Sequence, residues 1–100
     1  MAKASHGDQC EKFEQIPNVG YAMAEDFRRL GLKKPADLRG CDAFDLYQRM
    51  CKLRGQRQDP CVLDTYMAAI DFMEGAPPRP WWEYTPLRKA QYGQVNQQNR

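Results

Sequence analysis

Proline and glycine divide this chain of 100 residues into short segments, and the longer segments carry apolar residues at helical spacing. No segment alternates apolar and polar residues as a half-buried strand does, and no internal repeat is evident. The apolar spacing predicts helices at 8–15, 20–30, 35–39, 42–53 and 60–74. We therefore expect an all-α fold, in which five helices form one compact domain.

Composition and length support a single globular domain. Hydrophobic residues make up 42% of the chain and charged residues 28%. No apolar run approaches the roughly 18 residues of a membrane span, and no apolar stretch of a secretory signal follows the N-terminus. We expect a cytoplasmic protein whose four cysteines are free thiols. The expected division is a flexible N-terminus at 1–7, a helical domain at 8–75, a Pro/Trp-rich extension packed on it at 76–90, and a disordered tail at 91–100.

Charge is distributed unevenly along the chain. The segment 28–57 holds nine basic groups against three acidic ones, whereas the segments before and after it are net negative. Such asymmetry is compatible with a polyanionic partner such as nucleic acid, although charge alone does not favour that interpretation. The alternative is a solvated surface that happens to be rich in lysine and arginine.

The stretch from Phe13 to Phe27 resembles a helix-hairpin-helix motif. Pro17 and Gly20 suit a tight turn between two helices, and the small Ala24 suits their close approach. The motif commonly has glycine where this chain has Asn18, a residue that tolerates a left-handed backbone. In such a motif, backbone N–H groups at the start of the second helix bind a phosphate oxygen without recognising a base.

This resemblance implies weak, sequence-nonspecific DNA binding. The residues expected to bind nucleic acid are the turn residues, the cations after them and two arginines of a degenerate second hairpin: Val19, Gly20, Tyr21, Ala22, Arg28, Arg29, Lys33, Lys34, Arg54 and Arg57. A structural turn without DNA contact stays open as an alternative. Helix-hairpin-helix turns sometimes hold a monovalent cation, for which the carbonyls of Ile16 and Val19 are the candidates.

The resemblance extends beyond the hairpin. Leu30-Gly31-Leu32, the run Pro35–Gly40 and the run from Pro80-Trp81-Trp82 to Lys89 are similar to the small bacterial pathogenicity-locus family, whose members are often labelled mitomycin resistance proteins. A looser similarity exists to the C-terminal domain of TfoX-type competence regulators. The resemblance covers about Phe13 to Lys89 and implies a tandem helix-hairpin-helix architecture. It implies a fold more than a function.

A protein-interaction adaptor is the second functional hypothesis. Trp81, Trp82 and Tyr84 follow the proline-rich segment 76–80, and buried aromatic residues often dominate the energy of protein interfaces. Exposed tryptophans would favour this hypothesis.

Catalytic and metal chemistry find little support in the sequence. Cys41, Cys51 and Cys61 recur every ten residues without a Cys-x-x-Cys pair, and His6 is the only histidine. We expect no metal, no cofactor, no small-molecule substrate and no catalytic residue. A thiol-based enzyme is the third functional hypothesis, and thiols with an ordinary pKa would argue against it.

Overall fold

The computed structural model describes residues 2–93 and shows a helical protein. Four α-helices follow in order: α1 (Tyr21–Arg29), α2 (Ala43–Arg54), α3 (Pro60–Met73) and α4 (Thr85–Tyr92). Single 3₁₀ turns lie at Gly7–Gln9, Phe13–Gln15, Pro35–Leu38 and Trp81–Tyr84. The described residues contain no strand, which confirms the all-α class. The helix count is four within 2–93, so the prediction of five helices is wrong.

Helix α3 is the central element of the fold. It packs against α2, α4 and the 3₁₀ turns at Pro35–Leu38 and Trp81–Tyr84. Its buried side chains include Leu63, Tyr66 and Phe72. The Asp59 carboxylate caps the helix by accepting the Cys61 N–H at 2.9 Å, and proline at position 60 opens the first turn.

The segment 8–15 does not form the predicted α-helix. It contains two separate 3₁₀ turns joined by extended residues. The side-chain oxygen of Gln15 accepts the N–H groups of Glu11 and Lys12 at 2.7 and 2.9 Å, and Gln9 does the same for Ser5 and His6. These side chains satisfy backbone donors locally, as an alternative to a helical ladder. Phe13 and Ile16 are nevertheless buried, as their spacing predicts.

The backbone packs closely against the end of α3 at Gly7, just before this segment. A Cβ atom on Gly7 would lie 2.7 Å from the carbonyl oxygen of Phe72, so glycine alone fits there. The Ala4 N–H also donates to the Gln15 carbonyl at 2.9 Å. The described part of the predicted flexible segment 1–7 is therefore held against the domain by defined contacts.

The Pro/Trp-rich extension ends in helix α4, which the sequence analysis does not predict. Arg88 on α4 is only 8% exposed, and its Nε atom donates to Oδ1 of the fully buried Asp64 at 2.7 Å. Thr85 donates its hydroxyl to Oδ2 of Asp64 at 2.6 Å. The extension is thereby fixed along α3 through a buried carboxylate.

Two residues predicted to lie in a disordered tail belong to α4. The Tyr92 ring stacks on Phe44 of α2 with ring centroids 4.9 Å apart. Gly93 follows as the C-cap of α4, and the rest of that prediction, residues 94–100, lies outside the described residues. Among the helices within 2–93, none is both long and apolar enough to cross a bilayer.

Replacing Arg88 by methionine should destabilise the fold strongly. The change leaves the Asp64 carboxylate buried without a cationic partner, which typically costs about 3–5 kcal/mol. Urea denaturation followed by circular dichroism should show the free energy of unfolding fall by about this amount.

Lys89→Met is the matched control, because Lys89 is the exposed neighbour of Arg88 on α4. Its free energy of unfolding should stay within about 0.5 kcal/mol of the wild type. The double variant Asp64→Leu/Arg88→Met removes both charges and should recover part of the loss. Equal stability of Arg88→Met and Lys89→Met would contradict the role given to the ion pair.

Candidate nucleic-acid interface

The turn before α1 is tight and closed by its own backbone. The Val19 N–H donates to the Ile16 carbonyl at 3.1 Å, and Asn18 adopts a left-handed backbone with φ of 72°. Gly20 is extended with φ of −92° and forms the N-cap of α1. A 3₁₀ turn at Phe13–Gln15 stands where a helix-hairpin-helix motif has its first helix. The turn therefore exists, but only its second flanking element is an α-helix.

The first turn of α1 offers backbone donors to solvent. Gly20, Tyr21 and Ala22 are exposed, and Tyr21 is 74% exposed. The first intrahelical bond runs from the Ala24 N–H to the Gly20 carbonyl at 3.0 Å. Within residues 2–93, no side chain caps this helix through a hydrogen bond at its N-cap. The N–H groups of the first turn, together with the helix dipole, can therefore receive an anionic oxygen.

A groove of ≈ 540 Å³ lies beside this helix start. Four cationic side chains and two carboxylates line it: Lys3, Lys12, Arg28, Lys33, Glu11 and Glu14. Val19, Gly20 and Tyr21 form its wall on the side of α1. The groove therefore combines backbone donors with an excess of positive charge.

The structure brings together half of the residues expected to bind nucleic acid. Five of them line the groove: Val19, Gly20, Tyr21, Arg28 and Lys33. Ala22 is exposed in the first turn of α1. Arg29, Lys34, Arg54 and Arg57 are exposed outside the described lining of the groove.

Arg28 is held in place by two carboxylates. Its guanidinium lies 3.0 Å from a carboxylate oxygen of Glu14 and 2.5 Å from one of Glu25, and it sits 5.5 Å from the centroid of the Phe13 ring. The hydrogen bond from Arg28 lowers the pKa of the Glu14 carboxyl below its usual value. Arg28 therefore joins the turn to α1, and much of its charge is neutralised within the protein.

One ion pair joins the second predicted hairpin to helix α1. Arg54, at the end of α2, donates to the carboxylate of Asp26 on α1. The turn that follows ends α2 with Gly55 at φ of 68°. Arg54 thus links the two turns structurally, and its charge is shared with Asp26.

Lys3 is a residue of this site that the sequence analysis missed. Its Nζ atom donates to the carbonyl oxygens of Glu14, Ile16 and Val19 at 2.9, 3.1 and 2.6 Å. Partial burial lowers the pKa of this amine from its usual 10.5, while the Glu14 carboxylate opposes the change. A lysine in a segment expected to be flexible carries no sequence pattern that would reveal this contact.

Asn18 connects the turn to the C-terminal extension. Its Nδ2 atom donates to the Arg79 carbonyl at 2.7 Å, and its Oδ1 atom accepts the Trp81 N–H at 3.2 Å. The residue that departs from the glycine of the motif thus has two functions: it adopts the left-handed turn, and it binds a segment 61 residues away.

The aromatic cluster of the extension is only partly accessible. Trp82 is 60% exposed, Trp81 is half-buried against it edge-to-face at 5.8 Å, and Tyr84 is 3% exposed. Tyr84 is therefore part of the protein interior and cannot act as the partner-binding residue that the sequence suggested. Trp82 alone retains a large exposed ring.

Three of the four cysteine thiols have a pKa above the ordinary value. Burial raises the pKa of Cys10 and Cys41, and burial together with Asp59 raises the pKa of Cys61 to about 11. Such thiols stay protonated at neutral pH, whereas the thiolate is the reactive form. Among residues 2–93, no group of histidine, cysteine and carboxylate side chains is arranged to hold a metal ion.

The variants Asn18→Gly and Asn18→Ala should separate the two functions of Asn18. Both remove the hydrogen bonds to Arg79 and Trp81, so acrylamide should quench tryptophan fluorescence more strongly in both than in the wild type. Only alanine is strained at a positive φ, so Asn18→Ala should be less stable than Asn18→Gly by about 1 kcal/mol. Equal urea midpoints for the two variants would show that the turn relaxes out of the left-handed region.

Comparison with known proteins identifies the family of this chain. A family model described as pathogenicity locus (Cdd1) matches residues 6–90. The chain is 54% identical over 74 residues to mitomycin resistance protein McrB of Streptomyces lavendulae. The aligned residues make up 74% of this chain and 70% of that protein. No solved structure matches the chain significantly. The looser similarity to TfoX-type regulators stays a prediction. The residues matched by the family model include the turn before α1 and the buried ion pair, and the chain belongs to the pathogenicity-locus family.

Proposed function

We propose that this protein is a non-catalytic module that binds the DNA backbone weakly and without sequence preference. The observation that carries the proposal is the exposed first turn of α1, which has no side-chain cap within the described residues and lies beside a mainly cationic groove. A phosphate oxygen placed there accepts hydrogen bonds from the N–H groups of Tyr21 and Ala22, and the helix dipole stabilises its negative charge. Contacts of this kind position a protein on DNA without distinguishing bases.

The charge of the groove supports attraction of modest strength. Lys12 and Lys33 are exposed lining residues, and the Arg28 charge is offset by Glu14 and Glu25. Each phosphate that is neutralised releases counterions, so the affinity should fall as salt rises. Because few phosphates can be engaged by so small a surface, we propose micromolar rather than nanomolar binding.

Tyr21 supplies a further contact for nucleic acid. Its ring is 74% exposed directly beside the proposed phosphate position. An aromatic face at such a position can stack on an unpaired base whatever its identity. The arrangement thus accommodates a single strand or a duplex end as well as a continuous duplex.

The cellular setting follows from the family rather than from the site. The related McrB protein is named for mitomycin resistance, and we propose that the present protein acts in the same setting. We propose a cytoplasmic location, and DNA rather than the drug as the partner.

Replacing Gly20 by aspartate should separate stability from DNA binding. Gly20 has an ordinary φ of −92° and open space where a Cβ would lie, so the change fits the fold. An aspartate at the N-cap accepts the first-turn N–H groups and should raise the free energy of unfolding by up to about 1 kcal/mol. The same carboxylate occupies and repels the phosphate, so DNA affinity measured by fluorescence anisotropy should fall about tenfold or more.

Two controls complete this experiment. Gln48→Glu adds the same charge at an exposed position of α2 and should leave the affinity close to that of the wild type. Gly20→Asn provides a neutral cap and should weaken binding less than Gly20→Asp does. If Gly20→Asp binds single-stranded and duplex DNA as tightly as Gln48→Glu, the proposed phosphate position is wrong.

A protein-interaction adaptor is the second candidate, and the exposure of Trp82 favours it. Trp82 and Leu87, which are 60% and 49% exposed, place two large apolar side chains on the C-terminal extension. Under the DNA proposal, Trp82→Ala leaves the affinity for DNA unchanged. If the wild-type chain binds no DNA even at low salt, this apolar surface becomes the better candidate for the functional site.

A further inference from the structure

Leu53, near the end of α2, is a large apolar side chain that is 58% exposed. Asp45, Arg49 and Lys52 lie eight, four and one residues before it and are exposed on the same side of the helix. Asp42, the N-cap of α2, lies three residues before Asp45 and extends this face toward the helix start. The face, called the α2 face below, therefore has two carboxylates at its start and a leucine with two cations at its end.

A groove of ≈ 620 Å³ lies at the start of the same helix, between α2, α3 and α4. Apolar side chains of α3 and α4 line it: Met67, Ile70, Leu87 and Ala90. Three carboxylates lie beside them: Asp42, Asp71 and Glu74. The described lining contains no lysine or arginine. This groove, called the acidic groove below, therefore combines apolar surface with negative charge, and it suits an apolar side chain that has a cation next to it.

The two ends of the α2 face are complementary to each other. If the α2 helices of two copies lie antiparallel, Asp42 of one copy faces Lys52 and Leu53 of the other. Asp45 of one copy then faces Arg49 of the other. A parallel arrangement would place like charges opposite each other, which is unfavourable. Arg49 already lies 3.6 Å from Asp45 within its own chain, so Lys52 is the main cation of the contact.

We propose that a second copy of this chain occupies the acidic groove. The α2 helices of the two copies pack antiparallel, and Leu53 of each copy enters the acidic groove of the other. Each copy gives and receives the same contact, so the assembly closes as a two-fold dimer. Leu53 packs on the apolar lining, while Lys52 meets Asp42 and the carboxylates beside it. Burial of the leucine and pairing of the opposite charges both favour the association.

The dimer is weak and is separate from the proposed DNA binding. One helix face and one groove form a small interface, which is typical of a reversible association. The described linings of the acidic groove and of the groove beside α1 share no residue. Dimerisation can therefore be measured without DNA, and its failure would leave the proposed phosphate position untouched.

Sedimentation equilibrium tests the proposal on the full chain. The wild type should show a reversible monomer–dimer equilibrium between about 10 µM and 1 mM. Leu53→Ala removes the apolar contact, and Lys52→Glu places a carboxylate against Asp42 of the other copy. Each variant should raise the dissociation constant about tenfold or more, with a circular dichroism spectrum like that of the wild type.

Two further variants make the result specific. Lys89→Glu makes the same charge change as Lys52→Glu at another exposed lysine, outside the described lining of the acidic groove, and should dimerise as the wild type does. Trp82→Ala removes the other large exposed apolar side chain outside that lining and should also leave the dimer unchanged. A wild type that is monomeric at about 1 mM would overturn the proposal. A dimer that survives Leu53→Ala or Lys52→Glu undiminished would overturn it too.

Amide chemical shifts of the ¹⁵N-labelled wild type give a second readout. On dilution, the shifts that change should cluster on the α2 face and around the acidic groove, whereas the amides of Gly20 and Tyr21 should stay constant. Changes centred on the start of α1 or on Trp82 would show that the copies associate through another surface, and the proposal would be wrong.

Discussion

The buried ion pair between Asp64 and Arg88 is the interaction on which the arrangement of the chain depends. It fixes the C-terminal extension along the central helix α3, and the extension then reaches the turn before α1 through the hydrogen bonds of Asn18 to Arg79 and Trp81. From the other side, the N-terminal segment holds the same turn through Lys3. Contacts from both ends of the described chain thus meet at the turn before α1.

This arrangement explains why the basic character of the middle of the chain is only partly available to a ligand. Arg28 and Arg54 are paired with carboxylates, and Arg49 donates to the Leu30 carbonyl at the end of α1 at 2.7 Å. The segment 28–57 is strongly basic in sequence, but several of its arginines hold elements together. Beside the start of α1, one lysine of this segment, Lys33, lines the groove together with Lys3 and Lys12, which come from the N-terminal part of the chain.

The sequence predicts best those elements whose ends are marked by local chemistry. Helices α2 and α3 begin at aspartate caps, so their positions follow from short-range rules. The segment 8–15 has helical spacing, but two glutamine side chains and the close approach of Gly7 to Phe72 favour separate 3₁₀ turns. Helix α4 is held by the bond from Arg88 to Asp64, which lies 24 residues earlier in the chain. Lys3 likewise donates to carbonyl oxygens up to 16 residues away, at Val19. Such contacts depend on tertiary structure, which periodicity does not report.

If the exposed first turn of α1 receives a DNA phosphate, as we propose, the backbone amides of that turn report on the contact directly. The decisive measurement is a titration of the ¹⁵N-labelled protein with a short duplex at low salt, followed by amide chemical shifts and repeated at high salt. The largest shifts should fall on Gly20, Tyr21, Ala22 and the groove residues around them, and these shifts should disappear as salt rises. Shifts centred on Trp82 and Leu87, or no shifts at low salt, would contradict the proposed phosphate position.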